Sequence, residues 1–426
     1  MYPLTHGSRK ARRGLALGAA GLAAALVLAG CSSDGGGGTD GSDGDGGDGG
    51  GGDSTETLRI STILPQTGNL SFLGPPEFAG VDLAVEELRA AGYEYEIVVS
   101  HHDSGDTMTD IASQSADAVI AEDASVVIGA ASSGVSFTFI DKMIDANIVM
   151  ISPANTAPDF SDYDDNDVYW RTAPSDVLQG RVLGNLMTGD GAATVGMIII
   201  NDPYGTGLAE NARIAVEAAG GEVVAEELYN PGETNFSTQV NAIMSQSPDA
   251  IAVITFDEAA LVVPALIDAG ASGSQMYFVD GNLSNGFDFP EGTLDGAQGT
   301  QPGVIAEGDF MDRLLSVDPS LSDFNYGAES YDAVVLAALA AAQGGGVDAD
   351  TIKENLQSVS GGGGTKCTEV AECLELIAAG EDIDYDGVSG PIEFNEQGDP
   401  TTANIGIYRY GADNRYEFVR AEEGQM

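Results

Sequence analysis

The sequence predicts an α/β protein in which two lobes, each a doubly wound parallel sheet, are strung on one chain. Three observations point to it. Short β-branched runs alternate with amphipathic stretches. Several of those runs are apolar at nearly every position, as strands covered on both faces must be. The alternation also breaks near 169–175 and then restarts. With 426 residues, 43% of them hydrophobic, there is apolar material for more than one core.

Taken in order, 58–64 reads as a strand and 78–90 as a helix whose apolar positions include Val81, Leu83, Val85 and Leu88. The strand 95–100 leads to a helix over 107–121, the strand 126–128 to a helix over 135–145, and 148–151 is a further strand. In the second series the strand 194–200 precedes a helix over 205–219, and the strand 222–229 precedes a helix over 236–246. A strand at 250–255, a helix at 258–269 and a strand at 276–279 complete it. Beyond lie an Ala-rich helix at 330–343, a glycine cluster at 361–364 and two short strands, 404–410 and 415–420, about Asp413-Asn414.

The first thirty residues read as an address. Arg9, Lys10, Arg12 and Arg13 precede a charge-free apolar run over 14–29, too short for a comfortable membrane span but suited to a secretory signal. The run ends in Leu28-Ala29-Gly30-Cys31, which resembles a bacterial lipobox. That resemblance implies acylation of Cys31 and a protein held at the outer face of the cytoplasmic membrane. Residues 34–53 are Gly and Asp with one Ser and one Thr, and no hydrophobe. Such a segment cannot bury apolar surface, so 31–56 reads as a flexible tether.

Sixteen Lys and Arg against 67 Asp and Glu give a formal charge of −51. This excludes nucleic acid as a partner and a polybasic attachment to lipid, leaving the anchor as the expected membrane contact. Three Cys and three His are too few for zinc or iron–sulfur clusters, and no metal or other cofactor is expected. With Cys31 acylated, Cys367 and Cys373 form an even pair in an oxidising compartment, which reads as a disulfide.

In open α/β sheets ligands collect beyond the carboxyl ends of strands. Three such ends carry polar clusters. The first places Ser132 and Ser133 before a helix, the second presents Ala154 and Thr156, and the third puts Tyr204 at a helix start. Taken singly, each cluster also reads as an ordinary helix cap. Convergence in one cleft would favour ligand binding. There is no Gly-x-Ser-x-Gly elbow, zincin helix or phosphate loop, so an enzyme is not expected.

From about 58 to 419 the chain resembles the type I periplasmic binding proteins, specifically the branched-chain amino-acid receptors of ABC importers. The stretches that carry the likeness include "LPQTGNLSFLGPPEFAGVDLAVEELRAAG", "VVIGAASSGVS", "IVMISPANTAP", "YWRTAPSDVLQG", "NDPYGTGLAE" and "YGAESYDAVVLAALA". The resemblance implies two lobes joined by a three-crossing hinge, one of 57–173 with 302–384, the other of 174–301 with 385–426. It implies that Ser132 or Ser133 binds an α-carboxylate, that the Ala154 carbonyl takes the ammonium, and that Thr156 touches either group. For the ammonium-pairing carboxylate, ungapped alignment indicates Asn282, but Asp280 has the chemistry and is favoured. Tyr204, Phe256 and Tyr331 match positions that close over ligand, and Leu73 stands where relatives often carry Tyr. The implied protein is a monomer that captures a small amino acid and delivers it to an ABC permease. The alternative is a sensor working through a separate signalling protein.

Overall fold

The computed structural model describes residues 56–425. The leader 1–30, Cys31 and nearly all of the tether lie outside the described residues. Strands β1 (Thr57–Leu64), β2 (Glu96–Asp103), β3 (Val126–Gly129), β4 (Val149–Ser152) and β5 (Tyr169–Arg171) form one sheet in the order β2-β1-β3-β4-β5, every pair parallel. Strands β6 (Thr194–Ile200), β7 (Glu222–Tyr229), β8 (Ala250–Ile254), β9 (Met276–Phe278) and β10 (Gln298–Pro302) build the parallel part of a second sheet. Three short strands, β11 (Thr365–Cys367), β12 (Ile383–Gly387) and β13 (Gly390–Pro391), make a small sheet of their own. The last two, β14 (Thr402–Tyr410) and β15 (Tyr416–Gln425), add antiparallel to β10, so the second sheet runs β15-β14-β10-β9-β8-β6-β7.

The two large sheets pack into separate cores. Ile60, Ile128 and Ile151 of the first pack with Val81 and Leu88 of helix Gly74–Ala90 and with Val335, Leu336 and Leu339 of helix Gly327–Gly344. In the second lobe Ile198, Val253 and Phe278 pack with helices Asp176–Gly189 and Pro203–Ala218 through Leu183, Leu208 and Val216. Cys367 and Cys373 are joined, with Cα atoms 5.4 Å apart, tying β11 to helix Val370–Ala378.

The chain passes between the lobes three times: after β5, after β10, and before β14. The third passage lies later than the expected 384/385 boundary. Tyr385, Ile392 and Phe394 are buried in the first-lobe core, and only from β14 does the chain join the second sheet. Arg171 at the end of β5 pairs with Asp399 on this third passage, Nε to Oδ1 at 2.6 Å, both buried. At the second passage Gly303 has φ +76°, and a Cβ there would lie 2.1 Å from Glu329 Oε1. The Glu329 carbonyl accepts from the Thr172 hydroxyl at 2.9 Å, so one residue touches two passages.

Several helices depart from expectation for local reasons. The first begins at Gly74 rather than 78, because Pro75 and Pro76 occupy first-turn positions where a missing N–H costs nothing. The second begins at Ile111 rather than 107, since Asp106 accepts from the Met108 N–H at 2.9 Å in a turn. The single helix expected at 135–145 is two, Ser133–Ser136 and Ile140–Ala146, broken at Phe139 with φ −135°. The stretch 169–175, where the sequence predicts a break between the two series, contains β5.

Candidate functional site

The polar cluster after β3 begins where only glycine fits. Gly129 has φ +134°, and a Cβ would lie 2.1 Å from the Ile63 carbonyl oxygen. The next carbonyls are held from the β4 side: Ser152 Oγ donates to Ala130 O at 2.7 Å, and Asn155 Nδ2 donates to Ala130 O at 2.9 Å and Ala131 O at 2.8 Å. Ser132 then caps helix Ser133–Ser136, accepting from Val135 N–H. Ser133 Oγ accepts from the N–H groups of Thr156 and Ala157, both at 3.3 Å. A hydroxyl that already accepts twice keeps its proton to donate.

Facing these loops is the second lobe. Asp280 follows β9, and its buried carboxylate accepts three hydrogen bonds, each 2.8 Å long: Oδ1 from Gln179 Nε2 and Tyr204 OH, Oδ2 from Tyr326 OH. Burial nonetheless holds its pKa above the usual carboxylate range, against the lowering effect of these donors. Tyr204 stacks on Phe256 with ring centroids 5.3 Å apart, and the Gly281 N–H reaches the Tyr204 hydroxyl at 3.3 Å.

These groups line one narrow cleft between the lobes, with about 10 Å³ of free space, room for roughly one water. Leu73, Ser132, Ser133, Ala154, Tyr204, Phe256 and Asp280 are in its wall, joined by Leu70, Ala131, Gly281 and Tyr326. One side offers hydroxyls and backbone, the other a carboxylate ringed by phenols, and Leu70, Leu73, Ala131 and Phe256 supply apolar wall. Across the cleft Asn69 Nδ2 comes within 3.4 Å of Glu258 Oε1.

Two expected residues are placed elsewhere. Thr156 is fully buried below the cleft wall; its hydroxyl donates to Asp176 Oδ2 at 2.9 Å, so it supports the floor and does not line it. Tyr331 points away: its hydroxyl donates to Glu87 at 2.6 Å, and its ring packs against Phe310 and Arg313. The tyrosine of this stretch that lines the cleft is Tyr326, five residues earlier, immediately before helix Gly327–Gly344. Five helical residues turn the side-chain direction by about 140°, which is why the two tyrosines serve opposite faces. Tyr326 has φ +60°, rare for a bulky residue and in keeping with a position selected for where its ring must point. Asn282 is a structural residue, donating to Val253 O at 2.7 Å and Thr255 Oγ1 at 2.9 Å. Asp176 and Gln179, behind the wall, were not anticipated; their spacing of three on a helix start was the available signal.

The histidines of β2 pair with acids, His101 with Asp82 at 3.2 Å and His102 with Glu122 at 3.1 Å. Neither lines the cleft.

A model of the periplasmic binding protein family matches residues 57–415. The substrate-binding protein BasB of a chemotactic signal transduction system in Halobacterium salinarum is 27% identical over 366 residues, 82% of this chain and 86% of its own. The Leu/Ile/Val-binding protein BraC3 of Rhizobium johnstonii is 24% identical, across 83% of this chain and 92% of its own. Among solved structures, the leucine-binding protein LivK of Thermotoga maritima superposes with a TM-score of 0.71 at 21% identity, over 85% of this chain and 98% of that one. The branched-chain amino-acid transporter substrate-binding protein LivJ of Streptococcus pneumoniae, in complex with isoleucine, gives 0.69 at 22% identity, over 87% and 100%. Two α/β lobes with parallel sheets are the architecture these structures share with it. The chain belongs to the type I periplasmic binding proteins, a family of solute-binding proteins rather than enzymes.

Proposed function

We propose that this protein is an extracytoplasmic receptor that captures a small aliphatic amino acid, most suitably a branched-chain one, and delivers it to the membrane permease of an ABC importer. The observation that carries the reading is the pairing, across one cleft, of hydroxyls and backbone from the first lobe with a buried carboxylate from the second. Ser132 and Ser133, with neighbouring amides, suit an α-carboxylate; the Ala154 carbonyl and Asp280 suit an ammonium. The apolar wall would select side-chain size at about 0.8 kcal/mol per methylene. Because the two sets of groups sit on different lobes, ligand makes all its contacts only when the lobes approach, and binding shifts the equilibrium toward that form. Acylation at Cys31 would keep the receptor beside its permease.

A thermal-shift panel of amino acids, amides and aromatic acids tests this, since a ligand of the folded form stabilises by about 2.7 kcal/mol at a hundred times its Kd. Branched-chain amino acids should give the largest shifts, and Ser133→Ala should reduce them. A panel in which none of them shifts melting rejects the ligand class. The likeness to a chemotactic substrate-binding protein favours a second reading, capture for sensing. Co-purification with a signalling transducer instead of a permease would select it.

A further inference from the structure

Behind Asp280 lies a second carboxylate. Asp176 opens helix Asp176–Gly189 and is fully buried. Its Oδ2 takes the Thr156 hydroxyl, while Oδ1 is buried with no hydrogen-bond partner among the described residues. One turn further along the same helix, Gln179 donates to Asp280 Oδ1 at 2.8 Å, so a single helical turn ties both acids together.

Among the described residues no free cation balances them. Arg171 faces Asp176, but its guanidinium is committed to Asp399 Oδ1, the carbonyls of Asn155 and Ala157, and Ser161 Oγ. Asp202, from helix Pro203–Ala218's cap, adds a further negative group on Asp176. Asp280 meets the phenols of Tyr204 and Tyr326, with Glu329 beyond the latter. None of the cleft-lining residues is basic. Two buried carboxylates with one set of donors cannot both ionise at ordinary cost; Asp280 has three donors and Asp176 one, so the charge belongs on Asp280 and the proton on Asp176. Both titrate above the usual carboxylate range, chiefly through burial, and for Asp176 next through the nearby Asp280.

We propose that Asp176 and Asp280 act as an electrostatically coupled pair that sets the ligand class: the cleft accepts a molecule carrying an ammonium group, whose charge takes the place of the Asp176 proton as the lobes close. This rests on the amino-acid reading above and adds what enforces it. Asp280 faces the ligand; Asp176 is a positioning residue acting through it. When the ammonium neutralises Asp280, Asp176 ionises and its proton passes to solvent. A carboxylic acid of the same shape brings no positive charge, cannot displace the proton, and is rejected.

Calorimetry of the protein with L-leucine at pH 7, in phosphate and in Tris, reads the exchange directly. The heats should differ in the sense of proton release, a substantial fraction of one proton per site. Isoamylamine, which lacks the carboxylate, should bind weakly with the same release. Isocaproate, which lacks the ammonium, should bind roughly ten- to hundredfold more weakly than leucine or not at all. Asp176→Asn should abolish the release. Equal heats in the two buffers, release persisting in D176N, or isocaproate matching leucine each overturns the proposal. If none of these compounds binds, the amino-acid reading fails, and the pair is still decided by melting without ligand. The wild-type folded state retains a proton that the unfolded chain loses near pH 4, so its melting temperature should fall relative to D176N as pH rises from 4 to 8. Parallel curves refute the retained proton.

Discussion

Replacing Tyr326 by Phe removes one of the three donors to Asp280 and leaves the ring in place. The lost bond is 2.8 Å long in a fully buried setting. A hydrogen bond to a charged group contributes about 1.5–3 kcal/mol. Because that bond lowers the Asp280 pKa, its loss raises it further. Burial already holds this carboxyl above the usual carboxylate range, so a further rise disfavours the anion that an ammonium requires. Apparent affinity falls by roughly ten- to hundredfold, the equivalent of the lost bond, and recovers in part as pH is raised. Isothermal titration calorimetry at pH 7 and pH 9, using whichever amino acid shifts melting most, measures it. Tyr331→Phe is the control, because its hydroxyl serves Glu87 beside Arg313, away from the cleft. It should lower the melting temperature slightly and leave affinity unchanged. Equal losses of affinity in the two variants, or none in Y326F, would refute the assignment of Tyr326 to the site.

Arg171→Leu should cost about 3–5 kcal/mol, because it leaves Asp399 buried and unpaired where the third passage meets β5; denaturant unfolding would register it. Glu329 is fully buried beside Gly303, and burial pushes its pKa up to about 8. Its proton is kept on folding, so the stability it confers is complete below the ordinary glutamate range and is lost as pH rises toward 8. Glu329→Gln should therefore melt with wild type at pH 4 and above it at pH 8.5, and coincident curves at both pH values would argue against a retained proton.

What could be read in advance follows from which forces act locally. Strand β6 at 194–200 has the bounds expected from its apolar run, because burial on both faces writes itself into composition, while β7 at 222–229 also keeps its expected bounds although it is a half-exposed edge strand. Strand β5 was hidden because three residues, Tyr169 to Arg171, carry no periodicity, and one of them is an arginine buried through an ion pair 228 positions away. The third passage was misplaced for a similar reason: Ile392 and Phe394 look like any apolar residues, and only packing assigns them to the first core. In the cleft, the serine and alanine positions were legible from their place after strands. Tyr326 was not, since choosing between it and Tyr331 required knowing the residue at which the helix begins. Asp176 was invisible as a partner of Asp280 because the two are joined only through folding.

The acid excess reaches beyond the cleft, and it bears on how the whole fold responds to salt. Lys142, Lys366, Arg213, Arg313 and Arg420 are each already paired with a carboxylate, so the remaining surface acids have little local relief. With a formal charge of −51, repulsion among them disfavours the compact state most when its range is long. That range is about 30 Å at 0.01 M salt, 10 Å at 0.1 M and 3 Å at 1 M. Sodium chloride should therefore raise the melting temperature steeply over the first tenfold increase and more gently over the second. Each kcal/mol of repulsion screened corresponds to about 2–4 °C in a domain of 150–250 residues, and less in one as large as this. Scanning calorimetry across that range distinguishes screening from ion-pair support: if the paired bases held the fold together, the same salt would lower the transition instead. A flat or falling curve would mean that the carboxylates are far enough apart in the folded chain for their repulsion to be no greater than in the unfolded one.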